Sequence, residues 1–160
     1  MKALAVKGLT QINDANDPIQ ELSLKGEISV IEFGKEELVK KCYDFIGTDI
    51  VEAVHLASLG VTMWLDEEGK LKNNVLPNLD GTFLFMKEFM VQDTIMGHVV
   101  FTSDKTDEEG WALGLEDEQL ETLKKLILLM QSKRPDTAFA TDVLTTEVHT
   151  GKTWKGDTNG

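Results

Sequence analysis

The hydrophobic and polar positions change period several times along the chain, and each change marks an element. Residues 2–7 (KALAVK) alternate closely enough for a strand, and Ile28–Phe33 (ISVIEF) is rich in the β-branched and aromatic types that strands favour. Between them Asn13, Asp14, Asn16, Asp17, Pro18 and Gly26 are turn formers that continue no strand, so a loop is expected. From Lys35 the spacing becomes helical. Leu38, Val39, Cys42, Phe45 and Ile46 share one face, Glu36 and Glu37 occupy the first turn, and Gly47 suits the residue after the last turn. Ile50–Leu56 and Val61–Leu65 are strand-like runs separated by Ser58, Leu59 and Gly60, which predicts a hairpin. Asn73–Gly81 reads as a loop around Pro77. Thr82–Met90 is apolar and stays open between helix and strand, and Ile95–Thr102 reads as a core strand with His98 inside it. Asp104–Gly110 is an acidic turn from which Trp111–Leu113 returns as a short strand. Glu116–Gln131 carries the strongest helical stripe, formed by Leu120, Leu123, Leu126, Ile127 and Met130, and Arg134-Pro135 ends it. The rest is threonine-rich, with at most one strand near Val143–Val148 and a tail from Gly151 to Gly160 expected to fray.

These segments predict an α+β fold, a mostly antiparallel β-sheet packed against two α-helices. The expected division is a single compact domain over residues 1–132 and a partly ordered C-terminal extension over 133–160.

Charge and cysteine content narrow the partners and the compartment. The 160 residues carry 16 lysine plus arginine against 28 aspartate plus glutamate, a formal −12, which argues against direct nucleic-acid binding. Residues 104–121 alone hold eight acids and one lysine, so the charge is concentrated at one turn and the helix start that follows it. Glu116, Asp117 and Glu118 suit the positive end of a helix dipole. Asp104, Asp107, Glu108 and Glu109 have no such local reason, and with Glu116 they form a candidate partner-binding acidic patch. The single Cys42 forms no intrachain disulfide, the apolar run Ala3–Val6 is too brief for a signal peptide, and the longest greasy run, Leu126–Met130, is far short of a membrane span. The expected setting is a reducing cytoplasm, with no membrane contact.

Motifs for chemistry are missing where they would be expected. His55, His98 and His149 lie far apart with no HxH or HExxH spacing, and neither acidic cluster (14–17 or 104–109) has the EF-hand layout. Cys42 lies on the apolar stripe of its helix, where a thiol behaves as a small hydrophobe. No GxSxG, SxxK, GxGxxG or GxxxxGK[ST] is present, so no cofactor, no metal and no enzymatic activity are expected. Of the three tryptophans, Trp64 and Trp111 read as core or rim packing ahead of ligand platforms, while Trp154 in the tail is idle or touches a partner.

The segments together resemble a family of domains of unknown function, number 3846, common in bacteriophages and bacterial mobile elements. The resemblance covers roughly residues 1–128. It is carried by the opening MKALAVK, the helix ending Phe45-Ile46-Gly47, IVEAVHL (Ile50–Leu56) and WLDEEGKLK (Trp64–Lys72). LPN (Leu76–Asn78), D-x-I-x-G-x-V-V (Asp93–Val100) and DEEG…GLEDEQ (Asp107–Gln119) complete it. Two departures from the family pattern are the bulky, aromatic GTFLFMKEFM (Gly81–Met90) and the chain beyond Met130. The resemblance implies no activity, only the setting of a small phage-type accessory protein in a bacterial cell.

Several functions compete. The first is a non-catalytic inhibitor that docks its acidic face on a host protein with a basic surface, such as an anti-phage defence component. A second is a sponge that sequesters a small nucleotide-like signal, as a homo-oligomer. Arg134 is the only arginine, so Lys70, Lys72, Lys2 and Lys7 would meet the anion, with Trp64 stacking and Asn78 hydrogen-bonding base or ribose. DNA mimicry and a structural or regulatory role without inhibition complete the set.

Overall fold

A computed structural model describes residues 1–140 of the chain. The expected strand near Val143–Val148 and Trp154 lie outside the described residues. In chain order these residues hold the strands β1 (Lys2–Val6), β2 (Thr10–Gln11), β3 (Glu21–Ser23), β4 (Ile28–Glu32), β5 (Val51–Leu56), β6 (Val61–Asp66), β7 (Val99–Ser103) and β8 (Thr137–Phe139). The helices are α1 (Leu38–Ile46), α2 (Leu79–Phe89) and α3 (Asp117–Ser132). A five-stranded sheet has the order β4-β1-β7-β6-β5 and a three-stranded sheet the order β2-β3-β8. Every pairing in both is antiparallel. The class is therefore the α+β arrangement read from the sequence, with three helices where two were expected.

β1 is inside the large sheet, and its alternation sets the layers. Ala3 and Ala5 point to one face, where Phe33, Val100 and the α1 residues Leu38, Cys42 and Ile46 close over them. Small side chains there let the helix approach. Leu4 and Val6 point to the other face and join Val61, Met63, Leu65, Val99 and Phe101 under Leu84 of α2 and Leu120, Leu123 and Ile127 of α3. Phe101, Leu4 and Met63 are fully buried, and each such side chain contributes about 1.5–3 kcal/mol by leaving water. Helices thus cover both faces, one on the first and two on the second.

α2 occupies the stretch that the sequence left open between helix and strand. It begins inside the expected loop, because the Asn78 side chain accepts a hydrogen bond from the Gly81 N–H (2.8 Å) and caps the first turn. The expected strand Ile95–Thr102 is shorter than its apolar run. Gly97 takes a φ of +86°, and residues 95–97 bond back to residues 76–78 (Asn78 N–H to Ile95 O and Gly97 N–H to Leu76 O, both 2.8 Å), so only Val99 onward joins the sheet. His98 therefore precedes the strand instead of lying within it. Trp111–Leu113 does return along the acidic turn, with Asp107 N–H bonded to Trp111 O and Leu113 N–H to Lys105 O, but only as an isolated bridge between Thr106 and Ala112.

The three-stranded sheet is tied to the main body by a buried ion pair. Asp80, in the first turn of α2, receives the Arg134 guanidinium on one carboxylate oxygen and the Gln131 amide (2.8 Å) on the other. Arg134 donates in addition to Leu24 O (2.9 Å), and Gln131 to Gly26 O (2.9 Å). The first residues of the C-terminal extension continue this anchoring, since β8 pairs with β3.

Candidate functional site

The cations expected to meet an anionic ligand do not converge. Lys70 pairs with Asp93, Lys2 with Asp117 (3.7 Å) and Lys7 with Glu27 (3.2 Å). Lys72 lies 2.6 Å from Asp66, whose carboxylate also accepts from the Thr48 hydroxyl (3.0 Å) and the Glu68 N–H (2.9 Å). Burial alone would raise the Asp66 carboxyl, but the Lys72 ammonium and those hydrogen bonds outweigh it and hold it below the usual carboxylate range. Arg134, the one arginine, belongs to the buried clamp. Asn78 is not a ligand contact. It is fully buried, with its amide N–H groups donating to Val6 O (3.1 Å) and Gly97 O (2.9 Å) while its oxygen caps α2. Trp64 lies on the α1 side of the sheet, away from Asn78, which joins the α2 side.

The acids converge in part. Asp104, Asp107, Glu108 and Glu109 share one loop, and within it Asp107 is a turn former, its Oδ1 accepting from the Glu109 N–H (2.8 Å) and the Trp111 N–H (2.9 Å). Lys35 crosses from the approach to α1 to pair with Glu109 and, at 4.0 Å, with Asp107. Glu116 is set apart. It lines a different cleft of about 330 Å³ on the opposite face of the sheet, with Leu59, Val61 and Leu123.

What the loop does build, on the α1 face, is a cleft of about 330 Å³. Ala53 and His55 of β5 and Thr62 and Trp64 of β6 face it, Glu36, Leu38 and Val39 form one wall, and Asp104, Lys105, Trp111 and Ala112 form the other. The register places His55 opposite Thr62 and Ala53 opposite Trp64. His55 Nδ1 shares a hydrogen bond with the Thr62 hydroxyl (2.8 Å), and the Trp64 indole N–H donates to the buried Thr102 hydroxyl (2.9 Å). At the tip of the loop Gly110 has a φ of +92°, a conformation glycine takes without strain, and this turns Trp111 back towards the sheet, where it remains 39% exposed. Neither Glu36 nor Asp104 has an ion-pair partner among the described residues.

All the site features within residues 35–112 lie in the span matched by a family model. The family described as Domain of unknown function (DUF3846) matches residues 21–128. The chain belongs to this family. The matched DUF3846 span runs from β3 through most of α3 and leaves out β1, the interior strand that carries both core faces. The opening MKALAVK therefore stands before it. No curated protein and no solved structure matches the chain.

Of two other reactive groups in this DUF3846 domain, Cys42 is enclosed and His98 is half-buried. Cys42 is fully buried, and burial pushes its thiol up to about 12, so it stays protonated at neutral pH. His98 accepts the Gly8 N–H on Nδ1 (3.0 Å) and packs against Phe45, and burial, with the Lys7 ammonium, keeps it below the ordinary imidazole value. Among the described residues no three His, Cys, Asp or Glu side chains gather as a metal site, and no helix is long and apolar enough to cross a membrane.

Sequence reasoning weighed Trp64 and Trp111 mainly as packing; it set Glu36 and Val39 in the α1 helix pattern and rejected His55 as a metal ligand, giving none of the three a binding role. One signal for them was present. Along β5 the residues facing α1 are Val51, Ala53 and His55, a face that turns from apolar to polar along the strand, as expected where cover ends.

Proposed function

We propose that this DUF3846 chain is a small, non-catalytic accessory protein of phage type that binds and neutralises a host protein in the bacterial cytoplasm, docking that protein's basic surface on the 104–109 loop and the cleft behind it. The observation that carries the reading is the meeting of Asp104 and Glu36, both without a cationic partner among the described residues, with two tryptophans in one cleft. Aromatic anchors in a pocket under a charged rim are the composition of an interface hot spot. The net charge of −12 adds long-range attraction for a basic partner. A nucleotide sponge has less support, because Trp64, Lys70, Lys72 and Asn78 do not converge. DNA mimicry needs acids spread along an extended face, whereas here they gather at one loop and one helix start.

Capture from bacterial lysate at low and high salt, with the wild type and the Asp104→Lys, Glu108→Lys, Glu109→Lys triple variant, tests the reading. One dominant partner is expected, released by salt and lost with the triple variant. A partner that the triple variant retains at high salt rules out docking through the acidic loop.

A further inference from the structure

The chemistry of the cleft, taken with the binding reading on which this rests, identifies what the partner inserts. We propose that the cleft between Trp64 and Trp111 receives an arginine side chain of the partner, with its guanidinium stacked on the Trp111 indole and paired with the Asp104 carboxylate.

Trp111 is the exposed indole of the cleft, 39% accessible, while Trp64 is half-buried against the α1-side core and forms the floor. The rings that pair among the described residues are Phe45 with His98 and Phe85 with Phe89, so neither tryptophan is covered by another aromatic ring. The Trp64 indole is oriented by its N–H bond to Thr102, and the backbone that carries Trp111 is held by the Asp107 carboxylate, so the indole of the first and the main chain of the second are arranged before a ligand arrives. Aromatic faces attract cations through their ring quadrupoles.

The charges select the same ligand. Lys35 is engaged by Glu109 and Asp107, which leaves Glu36 and Asp104 against Lys105 among the charged lining residues. A phosphate would meet two free carboxylates and one exposed lysine, with no arginine to grip it. A guanidinium finds the reverse. It is planar, weakly hydrated, able to stack and to bond a carboxylate at once, which a lysine ammonium is not. The volume of about 330 Å³ is at the small end of ligand pockets, roughly 300–1,000 Å³, and suits one long side chain.

Calorimetric titration of the full chain with nonaarginine and with nonalysine, two peptides of equal charge, tests the assignment. The arginine peptide is expected to bind about fivefold to tenfold more tightly. Trp111→Ala and Asp104→Asn, each checked for an unchanged thermal melt, are each expected to abolish that preference. Equal affinity for the two peptides, or a preference that survives Trp111→Ala, overturns the assignment. So does ATP binding in the cleft more tightly than nonaarginine. If the peptides bind equally while the lysate partner is still captured in a salt-sensitive way, the arginine assignment alone has failed and the binding reading stands.

Discussion

Replacing Arg134 by methionine removes one half of a buried ion pair and keeps most of the side-chain volume. The Asp80 side chain is 2% exposed and that of Arg134 16%, so the carboxylate is sealed from water and the guanidinium is partly so. Once Arg134 is gone, the Asp80 carboxylate keeps only the Gln131 amide, and Leu24 O loses its donor. Breaking a buried pair from one side costs about 3–5 kcal/mol, because the surviving charge is stranded, whereas the net value of the intact pair is much smaller. For a chain of this length about 3 kcal/mol corresponds to a fall in Tm of roughly 6–12 °C. Urea denaturation followed by circular dichroism measures it directly. The double variant Asp80→Leu, Arg134→Met tests the physical cause, since removing both charges should return at least half of the loss; Gln131 keeps Gly26 O as its acceptor. Arg134→Lys should restore little, because one ammonium does not span Asp80 and Leu24 O as the guanidinium fork does. A stability of Arg134→Met within about 0.5 kcal/mol of wild type, the size of an ordinary surface substitution, would refute the reasoning.

Three further outcomes follow from close packing and burial. A Cβ at Gly26 would stand 1.8 Å from Lys7 O, so Gly26→Ala must displace backbone, and a loss of about 3 kcal/mol is expected in the same denaturation assay. Asp66 titrates below its unfolded value. Its contribution is therefore full above the unfolded pKa of about 3.9 and is lost as pH falls through the lower folded value, so the Tm gap between wild type and Asp66→Asn should close on acidification below about pH 4. Cys42, buried and with its thiol pushed up to about 12, should resist a disulfide reagent at pH 8 in the native protein and react in urea; labelling within minutes without denaturant contradicts the packing.

What was legible in the sequence was local. α1 and α3 carry an apolar stripe with polar residues opposite, and both lie within a few residues of where periodicity puts them. α2 gave no stripe, because Phe83, Leu84, Phe85, Met86 and Phe89 place apolar groups around much of the helix, and Phe83 and Phe89 remain exposed. Its one local signal was the cap at Asn78, a residue assigned to ligand binding instead. The acidic loop was visible because its residues are neighbours in sequence. The cleft was not, since Glu36, His55, Trp64, Asp104 and Trp111 meet only through the strand order and the return of the 104–112 loop. Lys35 shows the same limit: the acidity of the loop was legible, but not the cation that crosses from another element to neutralise part of it.

The opening in the α1 face follows from how many helices each face carries. A helix with its side chains is about 10–12 Å across. Strands lie about 4.8 Å apart, so one helix shields little more than two of them. α2 and α3 share one face of the five-stranded sheet, while α1 alone covers the other, over Ala3, Ala5 and Val100. The 104–112 loop folds back over part of what α1 leaves bare, and the cleft is the seam between them. Topology therefore makes the opening, and the residues at 36, 64, 104 and 111 decide what enters it. Stability and binding should separate accordingly. Trp111→Ala and Asp104→Asn change two partly exposed side chains of the loop, so they are expected to leave stability within about 0.5 kcal/mol and to remove the arginine preference. Arg134→Met, anchored at the other end of α2 and α3, is expected to lower stability and leave peptide affinity where it was. If Arg134→Met also erased the arginine preference under native conditions, the cleft would depend on the buried clamp, and the independence of fold and site argued from the layer geometry would be wrong.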